Sequence, residues 1–278
     1  MALKTLKFWL FWIAIALFVL AAVVVVIYYY HSRRRSNNYL GKKEFELRYF
    51  VQPTVDQNQV ITGYECLLRQ RQPDGSWRLP QQLDTLPLQR VISLLEVTFK
   101  SLPKQHYQLS INLAYEQIIS PEFDYFVRWA IANIAPMTLA VELSVDPHER
   151  YLHRPTFIRH IKNAKIYGMK LEVDNIGADS ADMKCINWMV GVIDTLKCSM
   201  KAFRKTDPNE WLDLNLQAWH QFADTQHMQL VLTGIENDQD EALAEQLNIG
   251  LRQGYKFARP SDPTKHKEVG ADGSTKIR

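Results

Sequence analysis

Cysteine is scarce and unpaired in this chain. Its three cysteines, Cys66, Cys185 and Cys198, are scattered through 278 residues without a CxxC pair. That excludes a disulfide framework and a thiolate zinc site, and it fits a reducing compartment. None of the eight histidines has HExxH-type spacing, and His148, His153 and His160 read as surface residues rather than ligands. A strong basic field is missing too. The formal net charge is only +3, so nucleic acid is not an expected partner. Residues 45–263 contain no low-complexity tract, repeat or evident linker, which points to one domain.

Charge is absent altogether from residues 8–30, a run of 23. At 1.5 Å per residue such a helix spans about 34 Å, enough to cross a hydrocarbon core of ~30 Å. Trp9, Trp12 and Tyr28, Tyr29 and Tyr30 sit near its ends, where amphipathic rings favour the headgroup level. The run is too long for a signal-peptide core, and Tyr28–Ser32 offers no small-residue cleavage site. An uncleaved transmembrane helix is the expectation. Lys4 and Lys7 precede it, whereas Arg33, Arg34, Arg35, Lys42 and Lys43 follow. The heavier side stays inside, so the sequence predicts a single-pass protein of the cell membrane with a cytoplasmic carboxy-terminal body. Residues 31–44 read as a basic juxtamembrane linker, 45–263 as the folded domain, and 264–278 as a polar tail.

The domain alternates short β-type runs with longer helical ones. Residues 45–55 and 60–70 bracket a hairpin-like connection at Asp56–Gln59, and Pro73-Asp74-Gly75-Ser76 is a second turn signal. Further strands are expected at 107–113, 138–145, 169–176, 192–199, 228–235 and just before Gly254. Helices are expected at 86–102, 121–134, 154–167, 178–190, 208–226 and 237–248. About eight strands with helical crossovers imply an α/β fold, a modified (β/α)8 barrel whose opening hairpin makes the first strand antiparallel.

Several strands carry a polar residue near the carboxyl end, where a barrel interior is ordinarily apolar: Glu65, Asn112, Glu142, Asp174 and Lys197. Period-2 geometry puts Glu65 and Arg69 on one face. An unpaired carboxylate inside 138–145 would cost several kcal/mol. A barrel gathers such strand ends into one mouth, and three carboxylates with an amide form an oxygen-rich site of the kind Mg²⁺ prefers. Each residue taken alone is better read as half of a structural ion pair, but five of them on five successive strand-like runs shift the balance towards a site.

The motifs around these residues resemble those of the EAL-domain family, the cyclic-di-GMP phosphodiesterases. Phe50-Val51-Gln52-Pro53-Thr54-Val55 resembles YQPIV, and Gly63-Tyr64-Glu65-Cys66-Leu67-Leu68-Arg69 resembles GFEALLR with Cys66 in place of alanine. Ser110-Ile111-Asn112-Leu113 is similar to SINLS, and Val141-Glu142-Leu143-Ser144-Val145 to LELTE. Leu171-Glu172-Val173-Asp174-Asn175-Ile176-Gly177 resembles LALDDFG. Leu196-Lys197 resembles the start of LKID, Thr233-Gly234-Ile235-Glu236 resembles EGVE, and residues 253–260 resemble QGYxFSRP. The eight motifs occur in family order over about Phe45 to Pro263.

The resemblance implies a barrel mouth with two divalent cations that activate water against a phosphodiester. Carried over by position, Glu65, Asn112, Glu142 and Asp174 would hold the first metal. Lys197 and Gln253 are the retained catalytic positions, and Gln52, Arg69 and Gln253 the ligand-binding ones. The second metal loses its aspartate to Asn175, and the EGVE glutamate is Thr233. The glutamate that supports a loop in LELTE is Val145. One Mg²⁺ or Mn²⁺ is therefore expected, not a full two-metal centre. The reading is a degenerate, membrane-anchored member that binds cyclic-di-GMP as a non-hydrolysing receptor. The alternatives are a protein-interaction module without nucleotide binding and a slow phosphodiesterase. A homodimer and a membrane or cytoplasmic protein partner both stay open.

Overall fold

The structure is a computed structural model, and it describes residues 2–37, 46–80, 85–177, 180–203 and 213–264. Most of the expected tail, the end of the expected linker and the start of the helix expected at 208 lie outside those residues. The chain divides into Met1–Glu46 and Leu47–Arg278. In the first unit the apolar run belongs to one continuous helix, α1 (Ala2–Asn37). It continues seven residues beyond the expected span, through the arginine cluster. Its segment Lys7–Ile27 is long and apolar enough to cross a membrane.

The second unit is the expected barrel. Its strands are β1 (Leu47–Val55), β2 (Ile61–Arg71), β3 (Trp77–Arg78), β4 (Gln108–Asn112), β5 (Thr138–Ser144), β6 (Lys170–Ile176), β7 (Thr195–Ser199), β8 (Gln229–Thr233) and β9 (Leu251–Arg252). The sheet runs β1-β9-β8-β7-β6-β5-β4-β2-β3 and closes through β1–β2, leaving β3 outside the eight-stranded ring. β1 is antiparallel to both β2 and β9, and the pairings β2–β4 through β8–β9 are parallel. The antiparallel start follows from the tight connection after β1. There Asp56 Oδ1 accepts from the backbone N–H of Asn58 and Val60, and Gln59 takes the left-handed conformation at φ 60°. Five residues cannot house a crossover, so β2 must return alongside β1. The sequence missed β3. It completes a second hairpin over the Pro73–Ser76 turn, where Gly75 lies at φ 80°.

The crossovers are α2 (Leu88–Ser101), α3 (Tyr115–Ile118) with α4 (Phe123–Ile134), α5 (Arg154–Ile166), α6 (Ser180–Ile186), α7 (Met200–Phe203) with α8 (Asp213–Thr225), and α9 (Asp238–Gln246). α6 is followed by a 3-10 turn, Asn187–Val192. α2 buries Leu88, Val91, Leu95, Thr98 and Phe99, one stripe at three- and four-residue spacing. α4 does the same with Phe123, Phe126, Val127, Ala130 and Ile134, and Phe99 stacks on Trp129 at 5.4 Å. α9 starts at Asn237, whose side chain caps Asp240 N–H, and Asp238, Asp240 and Glu241 favour its positive end.

The apolar core lies between the barrel and this ring of helices. Along β4, Leu109 and Ile111 are fully buried, and along β6 Leu171 and Val173 are too. The residues between them are polar and face inward, because their side chains meet others from strands across the barrel. The barrel interior is therefore polar where such barrels are ordinarily filled with branched aliphatic residues.

Gly254 fixes the last turn of that interior. A Cβ there would lie 2.0 Å from Ile235 O and 2.4 Å from Ile235 N. The same backbone atoms are bonded to Lys256 N–H and to Gln253 O. Replacing Gly254 by Ala is expected to lower stability by about 1–3 kcal/mol, as an overpacked contact with no room to relax does. Chemical denaturation of the detergent-solubilised chain measures this, and an unchanged midpoint contradicts the tight approach.

Candidate functional site

Lys197, at the middle of β7, is the hub of the interior. Its ammonium donates to Glu65 Oε2 at 2.8 Å and to Glu142 Oε2 at 2.5 Å, joining β2 to β5 across the barrel. Glu65 collects two further donors, Asn112 Nδ2 at 2.9 Å and Gln253 Nε2 at 2.8 Å. Gln253 Nε2 also approaches Gln52 Oε1 at 3.5 Å, while Gln52 Nε2 donates to Ala258 O at 2.9 Å. Glu65, Glu142, Lys197, Gln52 and Gln253 are all buried, and Asp174 is partly so. Six of the eight positions singled out from the sequence thus form one connected network, and Asp174 acts on it electrostatically. The eighth, Arg69, is half-buried. Its guanidinium donates to Leu68 O at 2.9 Å, and it is Lys197 that pairs with Glu65.

These contacts set the charges. Burial alone would push the Glu65 carboxyl up, but Lys197 and the amide donors hold it below its ordinary value. Glu142, only 1% exposed, goes the other way: burial and the neighbouring Glu65 raise it well above the usual carboxylate range despite Lys197. Asp174 is raised by its burial and by Glu65. Burial would lower the Lys197 ammonium, yet Glu142 and Glu65 outweigh that and keep it charged. Glu142 Oε1 is buried without a hydrogen-bond partner.

Three side chains, Asn175, Val145 and Thr233, stand where the resemblance expects carboxylates. Asn175 follows Asp174 in the left-handed conformation, φ 65°, which asparagine tolerates better than most residues. It is exposed, and its Nδ2 donates to Val145 O at 3.2 Å. Val145 N–H in turn donates to Asp174 O at 3.2 Å, so backbone contacts join these loops where the family motif has a glutamate side chain. Thr233 ends β8, and its hydroxyl donates to Cys198 O at 3.3 Å. Among the described residues no three His, Cys, Asp or Glu side chains are grouped as a metal cluster.

One interior carboxylate escaped the sequence reading. Glu172 lies two residues before Asp174 on β6 and is 2% exposed. Its Oε1 accepts from Gln108 Nε2 at 2.6 Å. The signal was present in the alternation Lys170, Glu172, Asp174, which puts all three on one face.

The EAL domain profile matches residues 33–260. The chain belongs to the EAL domain family. No curated protein matches it in sequence, whereas solved EAL structures share its fold. The EAL enzyme Bd1971, with cAMP and cyclic-di-GMP bound, has a TM-score of 0.66 at 19% identity, over 87% of this chain and 68% of that one. The Bacillus subtilis YkuI protein, which has an EAL domain and is in complex with cyclic-di-GMP and calcium, has a TM-score of 0.63 at 18% identity, over 77% and 56%. Klebsiella pneumoniae BlrP1, a calcium and cyclic-di-GMP complex, has a TM-score of 0.62 at 19% identity, over 77% and 56%. EAL membership makes this a protein of the cyclic-di-GMP signalling family.

Proposed function

We propose that this EAL protein is anchored in the cell membrane and binds cyclic-di-GMP at the barrel mouth without hydrolysing it. The observation that carries the reading is the separation of Arg69 from the acidic network. A guanidinium left off the carboxylates is free to take a phosphate in its planar fork. Asn175 and Thr233 present neutral groups at the two positions that would complete a second cation. The residues present fit one divalent cation. Glu142 Oε1 is a buried acceptor without a partner, next to Glu65, Asn112 and Asp174, and such hard oxygens suit Mg²⁺ or Mn²⁺. A cation there would supply Lewis-acid polarisation of a phosphoryl oxygen. Lys197 and Gln253 would keep Glu65 oriented, and Gln52 would hold the chain around 258.

Calorimetric titration of the detergent-solubilised chain with cyclic-di-GMP, with and without Mg²⁺, tests the receptor reading. Arg69→Ala is expected to weaken binding by about 1.5–3 kcal/mol, the scale of a lost charged hydrogen bond. Lys at the same position should recover only part, because an ammonium lacks the bidentate geometry. Heat-silent titration of the unmutated chain, supported by a second binding assay, would favour a protein-interaction module instead.

The membrane assignment rests on residues 8–30 as the span, with 31–44 as the basic segment before the domain of 45–263 and the polar tail of 264–278. A reporter fused after Arg278 is expected to behave as cytoplasmic. Reporter activity on the opposite side of the membrane would overturn the orientation drawn from Arg33, Arg34 and Arg35.

A further inference from the structure

We propose that the outward face of α5 docks on anionic lipid headgroups of the membrane that carries the chain, an inference that rests on the anchor reading above. The sequence sets this stretch apart. Residues 150–171 hold six cations, Arg150, Arg154, Arg159, Lys162, Lys165 and Lys170, and no Asp or Glu, in a chain whose formal net charge is only +3. α5 turns an apolar stripe of Phe157, Ile161 and Ala164 into the fold. Arg159, Lys162 and Ile166 recur at three- and four-residue spacing about half a turn away, so they share the opposite face. Apolar groups stand exposed beside these cations: Ile166 is 80% exposed, and Leu152, just before the helix, 65%.

The face is also shaped. An open cleft of about 530 Å³ has Arg154, Ile158, Arg159, Lys162 and Trp188 among its walls. Arg154 sets its guanidinium over the Trp188 ring, 5.1 Å from the centroid. Lys165 pairs with Asp194, whereas Arg159 and Lys162 have no acidic partner among the described residues. Uncommitted cations interleaved with exposed isoleucine, leucine and tryptophan suit a membrane interface. There the apolar groups enter the headgroup boundary while the cations stay with the lipid phosphates. The span strengthens the case, because a tethered domain meets the anionic cytoplasmic leaflet at high effective concentration. An acidic protein would satisfy the same cations but would have to be recruited from solution, so the tether favours the bilayer.

The test uses the full chain in nanodiscs, with a bimane fluorophore on Asn163→Cys at the cleft. Cys185→Ser removes the partly exposed native thiol, and Cys66 and Cys198 are buried. Quenching by lipids with a nitroxide on the headgroup reports contact between α5 and the bilayer. Strong quenching is expected in discs containing phosphatidylglycerol and weak quenching in phosphatidylcholine alone, with the difference lost in about 1 M salt. Arg159→Gln with Lys162→Gln is expected to shift docking about 25-fold towards the free state, since each cation near an anionic leaflet is worth roughly fivefold. Both side chains are exposed, so the double variant should melt as the parent does; the salt comparison needs no cation replaced and decides the matter if it does not. Equal, salt-insensitive quenching in the two lipids, or unchanged quenching in the double variant, overturns the inference. So does the absence of quenching in both, which would leave the cations to an acidic protein. A chain that fails to enter phosphatidylcholine discs sinks the anchor reading by itself. The α5 face then stands or falls on whether phosphatidylglycerol vesicles quench the same label.

Discussion

Asn175→Asp combined with Thr233→Glu is expected to give measurable cyclic-di-GMP hydrolysis in Mn²⁺, and the unmutated protein is expected to give almost none. In a two-metal displacement one cation stabilises the attacking oxygen and the other the leaving oxygen. Losing one Lewis-acid centre forfeits several kcal/mol of transition-state stabilisation, on the order of 10²–10⁴ in rate. The substitutions meet different surroundings. Asn175 now donates to Val145 O, so an aspartate there loses a donor and faces a carbonyl unless a cation intervenes. Thr233 spends its hydroxyl on Cys198 O, and a longer glutamate would extend inward from the end of β8. Either single change should do far less than the pair, because groups acting as one catalytic unit are strongly non-additive. Val145→Glu becomes the third substitution if the loop at Asn175 needs side-chain support. Product formation followed by chromatography decides the matter. Turnover of the unmutated protein in the ordinary enzymatic range, ~1–10³ per second, would refute the damaged-site reading outright.

Lys197→Met should be the most destabilising single substitution in the barrel interior. Lys197 is 3% exposed and holds two buried glutamates apart and in place. Removing one partner of a buried ion pair leaves an uncompensated charge and typically costs ~3–5 kcal/mol. The loss should fall mainly on Glu142, since Glu65 keeps its bonds from Asn112 and Gln253. Adding Glu142→Gln to Lys197→Met should therefore recover part of the stability, a coupling expected only for groups in contact. Thermal or denaturant unfolding of the three proteins measures it. If Lys197→Met unfolds at the same midpoint as the unmutated chain, the ammonium is not the keystone of the interior.

Much of the fold was legible because helix and strand periods differ. The stripe of Leu88, Val91, Leu95 and Phe99 could only be one face of a helix, and the run at 107–113 could only be a strand. The closed ring of eight strands and the antiparallel β1 also followed, from the number of β-type runs and the shortness of the Asp56–Gln59 turn. Three small elements escaped. β3 has only two residues, and α3 and α7 only four each, too short to show any period.

The alternation along β4, β5 and β6 carried a hidden lesson. Apolar residues at every second position usually mark a strand with one wet face. Here both faces are buried, and the polar face is the barrel interior. The sequence by itself thus determined which side chains share a face along each strand, Glu65 with Arg69 and Glu172 with Asp174, because side-chain direction in a strand is fixed by a two-residue period. Their membership in the EAL family was equally present in motif order. Only the tertiary structure decided which of them touch. Residues on β2, β5 and β7 are brought within hydrogen-bonding distance by barrel closure, and no local rule encodes which carboxylate an ammonium will reach. That is why Lys197, rather than Arg69, pairs with Glu65.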